Sequence, residues 1–465
     1  MALKLPDKYV KNHLVPQIME HLHNEEFISY EADHSPGLDG FMSTLYNMKL
    51  KTKTAECVKE RWLLVKTMRG DRNFRESSKS YIQFANEIYV YNTVLAAFNE
   101  SAGECAVKVN DLLPKCYVAM LGYIDGLSSS FNDLESILVL EHLKPLGYQM
   151  GPRLFLNSEH LLAMSCLLGQ YHAFSYTVKS IDIVKWEQLI AGIKSLPFID
   201  IKHPDKDKNN FYRVIYRVAF DRFFDYLERH KDDNIFDKSN EKDLKLIDNL
   251  KKLREKYFHE PCELLENLRT KVLISEEDNK FAVILHGDYN RNNVLFKYKN
   301  QGEENVPDDV EDIKMFDFQE LRYGSPALDL SFFMYFNTPE DIRSEIWPKL
   351  LLSYHTNMIS VLSSNLEAHH KSLEDTSKIL SYYSFENFQK HFARFAFYGV
   401  MICLHFLPWM SCSEQECERL SELFAININS DEFYELSMKA GGDMVNDKLL
   451  AIVRHANDMG YMDHM

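Results

Sequence analysis

The sequence predicts an α+β fold of two lobes: a small N-terminal antiparallel sheet lobe with one helix, and a larger, mainly helical C-terminal lobe. Three observations carry this. Short apolar runs alternating with turn signals fill the chain up to about residue 150. Helical periodicity dominates after it, and a strand-rich island interrupts the helices between residues 281 and 316.

In the first part, residues 37–40, 61–65 and 136–140 read as strands. One helix stands among them, because Phe84, Ile88, Tyr91, Leu95 and Phe98 recur at steps that place all five on one face. Pro145, Gly147, Gly151 and Pro152 mark a connection at 145–152, so residues 1–143 read as one lobe and 144–465 as the other. Beyond it, Leu161, Met164, Leu168 and Tyr171 give a helix with Asn157 or Ser158 as its cap. Further helical stretches are expected at about 209–230, 240–257, 340–365, 377–407 and 413–424. Within the island, residues 281–285, 293–296 and 313–316 read as strands, and the carboxylates from Glu303 to Asp312 as a solvated hairpin loop.

The chain has 465 residues and a formal charge of -16. That charge argues against a nucleic-acid partner, which needs a basic face, and against an anionic membrane surface. Eight cysteines occur without a Cys-x-x-Cys pair, which reads as free thiols in a reducing compartment. The N-terminus Met1-Ala-Leu-Lys-Leu5 has no signal-peptide pattern. The most apolar stretch, residues 395–410, carries His405 and Pro408 and falls short of the ~20 residues of a bilayer span. It is expected as a buried helix, and the protein as soluble and cytoplasmic.

The chemistry is concentrated in His286-Gly-Asp288-Tyr-Asn-Arg-Asn-Asn293, a short loop between two strands. Phosphoryl transfer needs an Asp and an Asn at this spacing: Asp288 to accept the proton of an attacking hydroxyl, and the Asn293 amide oxygen to ligate a Mg²⁺ ion on the phosphates. The protein-kinase pattern is His-Arg-Asp with Asn five residues after the Asp. Asp317, in Met315-Phe-Asp317-Phe-Gln319, closes the next strand as a second metal ligand. Lys66 ends the apolar strand Trp62-Leu-Leu-Val-Lys66, and Glu87 lies 21 residues on, beside the apolar helix face. Together they form an ammonium–carboxylate clamp for the α- and β-phosphates of ATP. Gly37, Gly40 and Ser43 are candidates for a turn over the phosphates, and the backbone at Glu141 and Leu143 for the adenine edge. Asp329 is expected as a buried anchor for the catalytic loop rather than a helix cap, and His172 as a satisfied core histidine.

These segments resemble the ecdysteroid kinase-like family, also described as choline-kinase-like. The likeness is carried by Phe84-Ala-Asn-Glu87-Ile-Tyr-Val-Tyr91, Leu138-Val-Leu-Glu141, Gly169-Gln-Tyr-His172, the loop at 286–296, and the segment from Phe316-Asp-Phe-Gln319 to Asp329-Leu330, and it spans roughly residues 30–425. The resemblance implies a two-lobed protein-kinase-like fold, with ATP and Mg²⁺. It also implies transfer of a phosphoryl group to a small hydroxylated molecule, in some members an ecdysteroid at its 22-hydroxyl. On it Asp288 is the base, Asn293 and Asp317 hold metal, and Lys66 and Glu87 clamp the nucleotide. His142 departs from the second acidic residue the family often carries after its strand. The loop at 299–312 and the stretch after about 430 stand as additions to the pattern. A choline- or aminoglycoside-type kinase, with a cationic substrate, is the alternative enzyme. A silent binder of the same fold is the alternative outside catalysis, against which stand Lys66, Asp288, Asn293 and Asp317, all present.

Overall fold

The structure is a computed structural model that describes residues 5–34, 43–103, 107–131, 133–200, 210–299, 309–369 and 371–465. Residues 37–40, expected as a strand or phosphate turn, lie outside the described residues. Five strands form the N-terminal antiparallel sheet: β1 (Glu26–His34), β2 (Ser43–Lys53), β3 (Val58–Met68), β4 (Cys116–Gly122) and β5 (Glu135–Glu141), in the order β1-β2-β3-β5-β4.

Both faces of the central strands are covered, which explains the unbroken apolar run of β5. Successive side chains of a strand point to opposite faces. Ile137 and Val139 join a core built on helix α1, which runs through Asp7–Tyr9, Val10–Leu14 and Val15–Glu20. Leu138 and Leu140 belong to the main core on the other face. The same alternation on β3 puts Val65 beneath α1 and turns Lys66 away from it. After a short helix α2 (Arg72–Ser77), the predicted helix α3 runs through Ser80–Tyr89, Val90–Val94 and Leu95–Ser101. Its five periodic residues are all buried.

The stretch at 145–152 contains strand β6 (Tyr148–Met150), which pairs with β8 (Val294–Tyr298), and β8 pairs in turn with β9 (Val310–Met315). β7 (Val283–Leu285) pairs with β10 (Arg322–Gly324). Around these short sheets lie α4 (Ser158–Ile181), α5 (Ile183–Gly192), α6 (Phe211–Arg229), α7 (Glu241–Tyr257), α8 (Pro261–Lys271), α9 (Glu276–Phe281), α10 (Pro326–Asn337) and α11 (Glu340–Ala368). Asn157 caps α4, its side chain accepting from the His160 N–H, as its sequence position suggests. The run read as one helix at 377–407 is three: α12 (Leu373–Tyr382), α13 (Phe385–Phe395) and α14 (Phe397–Ser411). Ser384 starts α13 by accepting from the Asn387 N–H, and a 47° bend separates α14. The apolar pattern runs across both breaks because each piece faces the same core, so periodicity alone does not show them.

α14 is apolar on nearly every side and buried, as a helix hydrophobic all round must be. Helices α15 (Glu414–Asn427), α16 (Asp431–Lys439) and α17 (Gly442–Asp458) complete the chain. α17 sets Val445, Leu449, Ile452 and Val453 into the main core, so the stretch after 430 is an integral part of that core. Among the described residues no single helix is long and apolar enough to cross a membrane.

Candidate active site

The loop leaving β7 is fixed from beneath by a carboxylate. Asp329, in the first turn of α10, accepts the His286 N–H on Oδ2 (2.7 Å) and the Gly287 N–H on Oδ1 (2.9 Å). The cap of that helix is Ser325, so Asp329 has the anchoring role expected of it. His172 donates from Nε2 to Asp329 (3.3 Å) and meets the Tyr354 hydroxyl at Nδ1 (2.9 Å), the tautomer the carboxylate requires. It is a satisfied core histidine, and one that orients the anchor. His286 is kept neutral by burial; its Nε2 reaches the Phe316 carbonyl at 2.8 Å, joining the loop to the end of β9. Gly287 has φ +87°, and a Cβ there would meet the Glu320 carbonyl oxygen at 1.8 Å, so only glycine fits.

Two amides hold Asp288. Asn293 donates from Nδ2 to Oδ2 and to the backbone oxygen of Asp288, both at 2.8 Å, and Asn290 donates to Oδ1 at 2.9 Å. With its NH₂ on Asp288, Asn293 offers its oxygen as the remaining ligating atom. Burial first, and then the negative charges of Glu320 and Asp317, push Asp288 up to about 8, against the two amides. A carboxylate with a raised pKa is, once ionised, a stronger base than an ordinary one.

Lys66, Glu87 and Asp317 form the second cluster. Lys66 Nζ lies 2.8 Å from Glu87 Oε2 and 2.9 Å from Asp317 Oδ1. Burial works against the Lys66 ammonium, but the Asp317 and Glu87 carboxylates hold it above its usual range. Burial likewise pushes Glu87 up, with the Lys66 ammonium opposing. Asp317 has φ +69°, in the left-handed region that Asp tolerates better than most residues. The next residue, Phe318, then packs inward against Tyr91, Tyr171 and His286, at ring-centroid distances of 6.3, 5.6 and 4.6 Å.

The structure therefore joins Lys66, Glu87 and Asp317 by direct contact, and Asp288 with Asn293. Ser43 is buried at the start of β2, two positions from Leu45, which pairs with Lys66. Gly37 and Gly40 lie outside the described residues. The Glu141 N–H is taken by the Lys115 carbonyl (2.8 Å), and the Leu143 carbonyl accepts from the Leu146 and Tyr148 N–H groups at 2.9 and 3.3 Å. Among the described residues the Leu143 N–H has no such backbone partner.

Sequence reasoning missed Glu320. Its carboxylate accepts from Gln83 Nε2 (2.7 Å), the Tyr212 hydroxyl (2.9 Å) and Arg322 Nη2 (2.8 Å). The available signal was its place three residues after Asp317, together with Gln83 one turn before Glu87 on α3. Glu320 and Asp288 line one cavity of about 330 Å³ whose other walls are mostly aromatic, including Tyr212, Tyr398, Phe406, Trp409 and Phe424. Phe392, Phe395 and Phe397, on the neighbouring helices, lie in the main core and not in this wall.

Asn293 and Asp317 fit a magnesium site. Both offer hard oxygen atoms, and Mg²⁺ takes one or two carboxylates with phosphate and water oxygens completing its shell. The model of the ecdysteroid kinase-like family matches residues 37–366. The chain belongs to that family. Membership of the ecdysteroid kinase-like family makes it a phosphotransferase with a hydroxyl acceptor, for which ATP is the implied co-substrate. No curated protein matches the chain. Similar solved structures include the Plasmodium vivax ethanolamine kinase, 12% identical, covering 95% of this chain and 88% of its own, with a TM-score of 0.38. The choline kinase of Cryptosporidium parvum is 11% identical, with coverages of 93% and 91% and a TM-score of 0.35.

Proposed function

We propose that this ecdysteroid kinase-like protein moves the γ-phosphoryl of ATP onto a hydroxyl of an apolar small molecule, an ecdysteroid at its 22-hydroxyl or a related alcohol. The observation that carries the reading is the aromatic cavity with Asp288 in its wall. Its volume of about 330 Å³ falls within the range of small-molecule sites. The carboxylate charge of Glu320 is already answered by Arg322 and two neutral donors, so it is a poor seat for a cationic acceptor such as choline or an aminoglycoside.

In this reading residues 1–143 form the nucleotide-binding lobe and 144–465 the lobe that carries acceptor and base. Lys66, oriented by Glu87, holds the α- and β-phosphates, with Gly37, Gly40 and Ser43 near them and the backbone of Glu141 and Leu143 at the adenine. Asp288 accepts the proton of the attacking hydroxyl, while Asn290 and Asn293 fix its carboxylate plane. Asn293 and Asp317 would hold Mg²⁺, whose charge neutralises the phosphate oxygens. The aromatic walls exclude water, which would otherwise compete with the alcohol as acceptor.

The test is an ATP-consumption assay with Mg²⁺ against ecdysteroids, choline, ethanolamine and aminoglycosides. The expected result is a phosphorylated ecdysteroid or similar alcohol, with the rate of Asp288→Asn reduced by about 10²–10⁴-fold. Turnover of a cationic acceptor alone would overturn the apolar assignment, and failure to bind Mg-ATP would overturn the kinase reading.

A further inference from the structure

One polar side chain of the cavity takes no part in the chemistry just described. His405 lies on α14, is 8% exposed, and lines the cavity that holds Asp288. Its ring packs edge-on against Tyr216, Phe406 and Trp409, at centroid distances of 5.7, 4.8 and 5.3 Å. Among the described residues neither ring nitrogen has a hydrogen-bond partner, and neither is sealed in the core as an orphaned buried atom. Buried polar groups are normally satisfied, because an unpaired one carries a desolvation cost of about 1–3 kcal/mol. An unpaired imidazole in the wall of a ligand cavity is therefore a candidate recognition group.

Its place along α14 sets it apart from the reactive end. Tyr398, two turns earlier, feels the charges of Arg322, Asp329, Glu320 and Asp288. His405, about 10 Å further along the helix axis by the rise of an α-helix, is perturbed by burial alone, which pushes it down to about 3 and keeps it neutral. A neutral imidazole donates from one nitrogen and accepts at the other, so it pairs with a hydroxyl or a carbonyl and offers nothing specific to a quaternary ammonium.

We propose that His405 recognises a second oxygen on the acceptor, a hydroxyl or carbonyl distant from the one phosphorylated, so that the substrate is an apolar scaffold oxygenated at two separated positions. This deepens the reading of the cavity as an acceptor site and rests on it.

Calorimetric titration of the nucleotide-free protein separates the two claims. The probes are a steroid with a side-chain hydroxyl and a ring hydroxyl, and the matched steroid lacking the ring hydroxyl. The wild type is expected to bind the first about tenfold more tightly, the scale of one net hydrogen bond. His405→Phe keeps the aromatic packing and is expected to abolish the preference, while His405→Asn, which retains a donor and an acceptor, restores part of it. Equal binding of both steroids by the wild type, a preference that survives His405→Phe, or no binding of either overturns the assignment. Turnover with Mg-ATP is read separately. A wild type that phosphorylates alcohols without the preference sinks the His405 inference alone, and one that shows the preference without turnover sinks the phosphoryl-transfer reading alone.

Discussion

Lys66 is 6% exposed, and its ammonium is compensated by two carboxylates rather than by water. Removing one partner of a buried ion pair is far costlier than the pair's net contribution, because it strands the other charge. Lys66→Met is therefore expected to lower unfolding free energy by about 3–5 kcal/mol as well as abolish activity, read by chemical denaturation. An unchanged midpoint would mean that Glu87 and Asp317 find other partners. Asp329 acts at one remove, through two backbone N–H groups. Asp329→Asn turns an NH₂ toward one of them, with a cost of about 1–3 kcal/mol for the unpaired donor. The expected signature is a reduced kcat with Mg-ATP affinity nearly unchanged, since Asp329 contacts the loop and not the nucleotide. Lys66, Glu87, Asp288, Asn293 and Asp317 could be picked out in the sequence as candidates, because each sits in a short motif with its own local logic. Glu320 was not, because its partners Gln83 and Tyr212 lie 237 and 108 residues away.

At the scale of elements, two glycines set how closely the large helices approach. A Cβ on Gly169 of α4 would stand 2.3 Å from the Tyr354 carbonyl oxygen on α11, and one on Gly399 of α14 would stand 2.4 Å from the Ser331 carbonyl oxygen on α10. In both cases the obstacle is backbone, which cannot swing aside. Gly169→Ala and Gly399→Ala are each expected to destabilise by about 1–3 kcal/mol, the cost of overpacking a filled core, although alanine is the better helix former. A thermal midpoint equal to or above wild type would show that the helices can slide apart. β3, β5, α3 and α4 were readable because each has a buried face with an unambiguous period. β1 was not, since most of its residues are exposed or half-buried and no apolar alternation marks it. The periodicity of α1 is interrupted by the wide turn at Val10–Leu14 and by Pro16.

For the molecule as a whole, burial holds several imidazoles neutral. His405 is lowered to about 3 and His455 to about 4, each chiefly by desolvation, and His286, His355 and His391 move the same way. In the unfolded chain these groups take up protons near pH 6.5. The unfolded state therefore binds more protons below that pH, so their contribution is fully present above about 6.5 and is lost as pH falls toward 4. Glu87 and Asp288, raised by burial, act in the opposite sense: their contribution is present below about 4.5 and is lost as pH rises toward 7 to 8. The difference between variants isolates one group. His405→Phe is expected to lose less stability than wild type between pH 7 and 5, by about 1–2 kcal/mol, in paired denaturation curves. Parallel curves would mean that His405 titrates alike in the folded and the unfolded chain. The α+β plan, with its antiparallel sheet toward the N-terminus and helices after it, was legible from the change of texture near residue 150, whereas the cavity was not, since its wall draws on residues as far apart as Gln83 and Phe424.

The four tryptophans are unequally placed. Trp62 is partly exposed on the sheet, Trp186 and Trp347 are sealed in the main core, and Trp409 alone borders the cavity. Its indole is thus a built-in optical reporter. A molecule that enters displaces water beside one chromophore and leaves the other three unchanged, so occupancy is readable as a shift in intrinsic emission, with no label and no coupled enzyme.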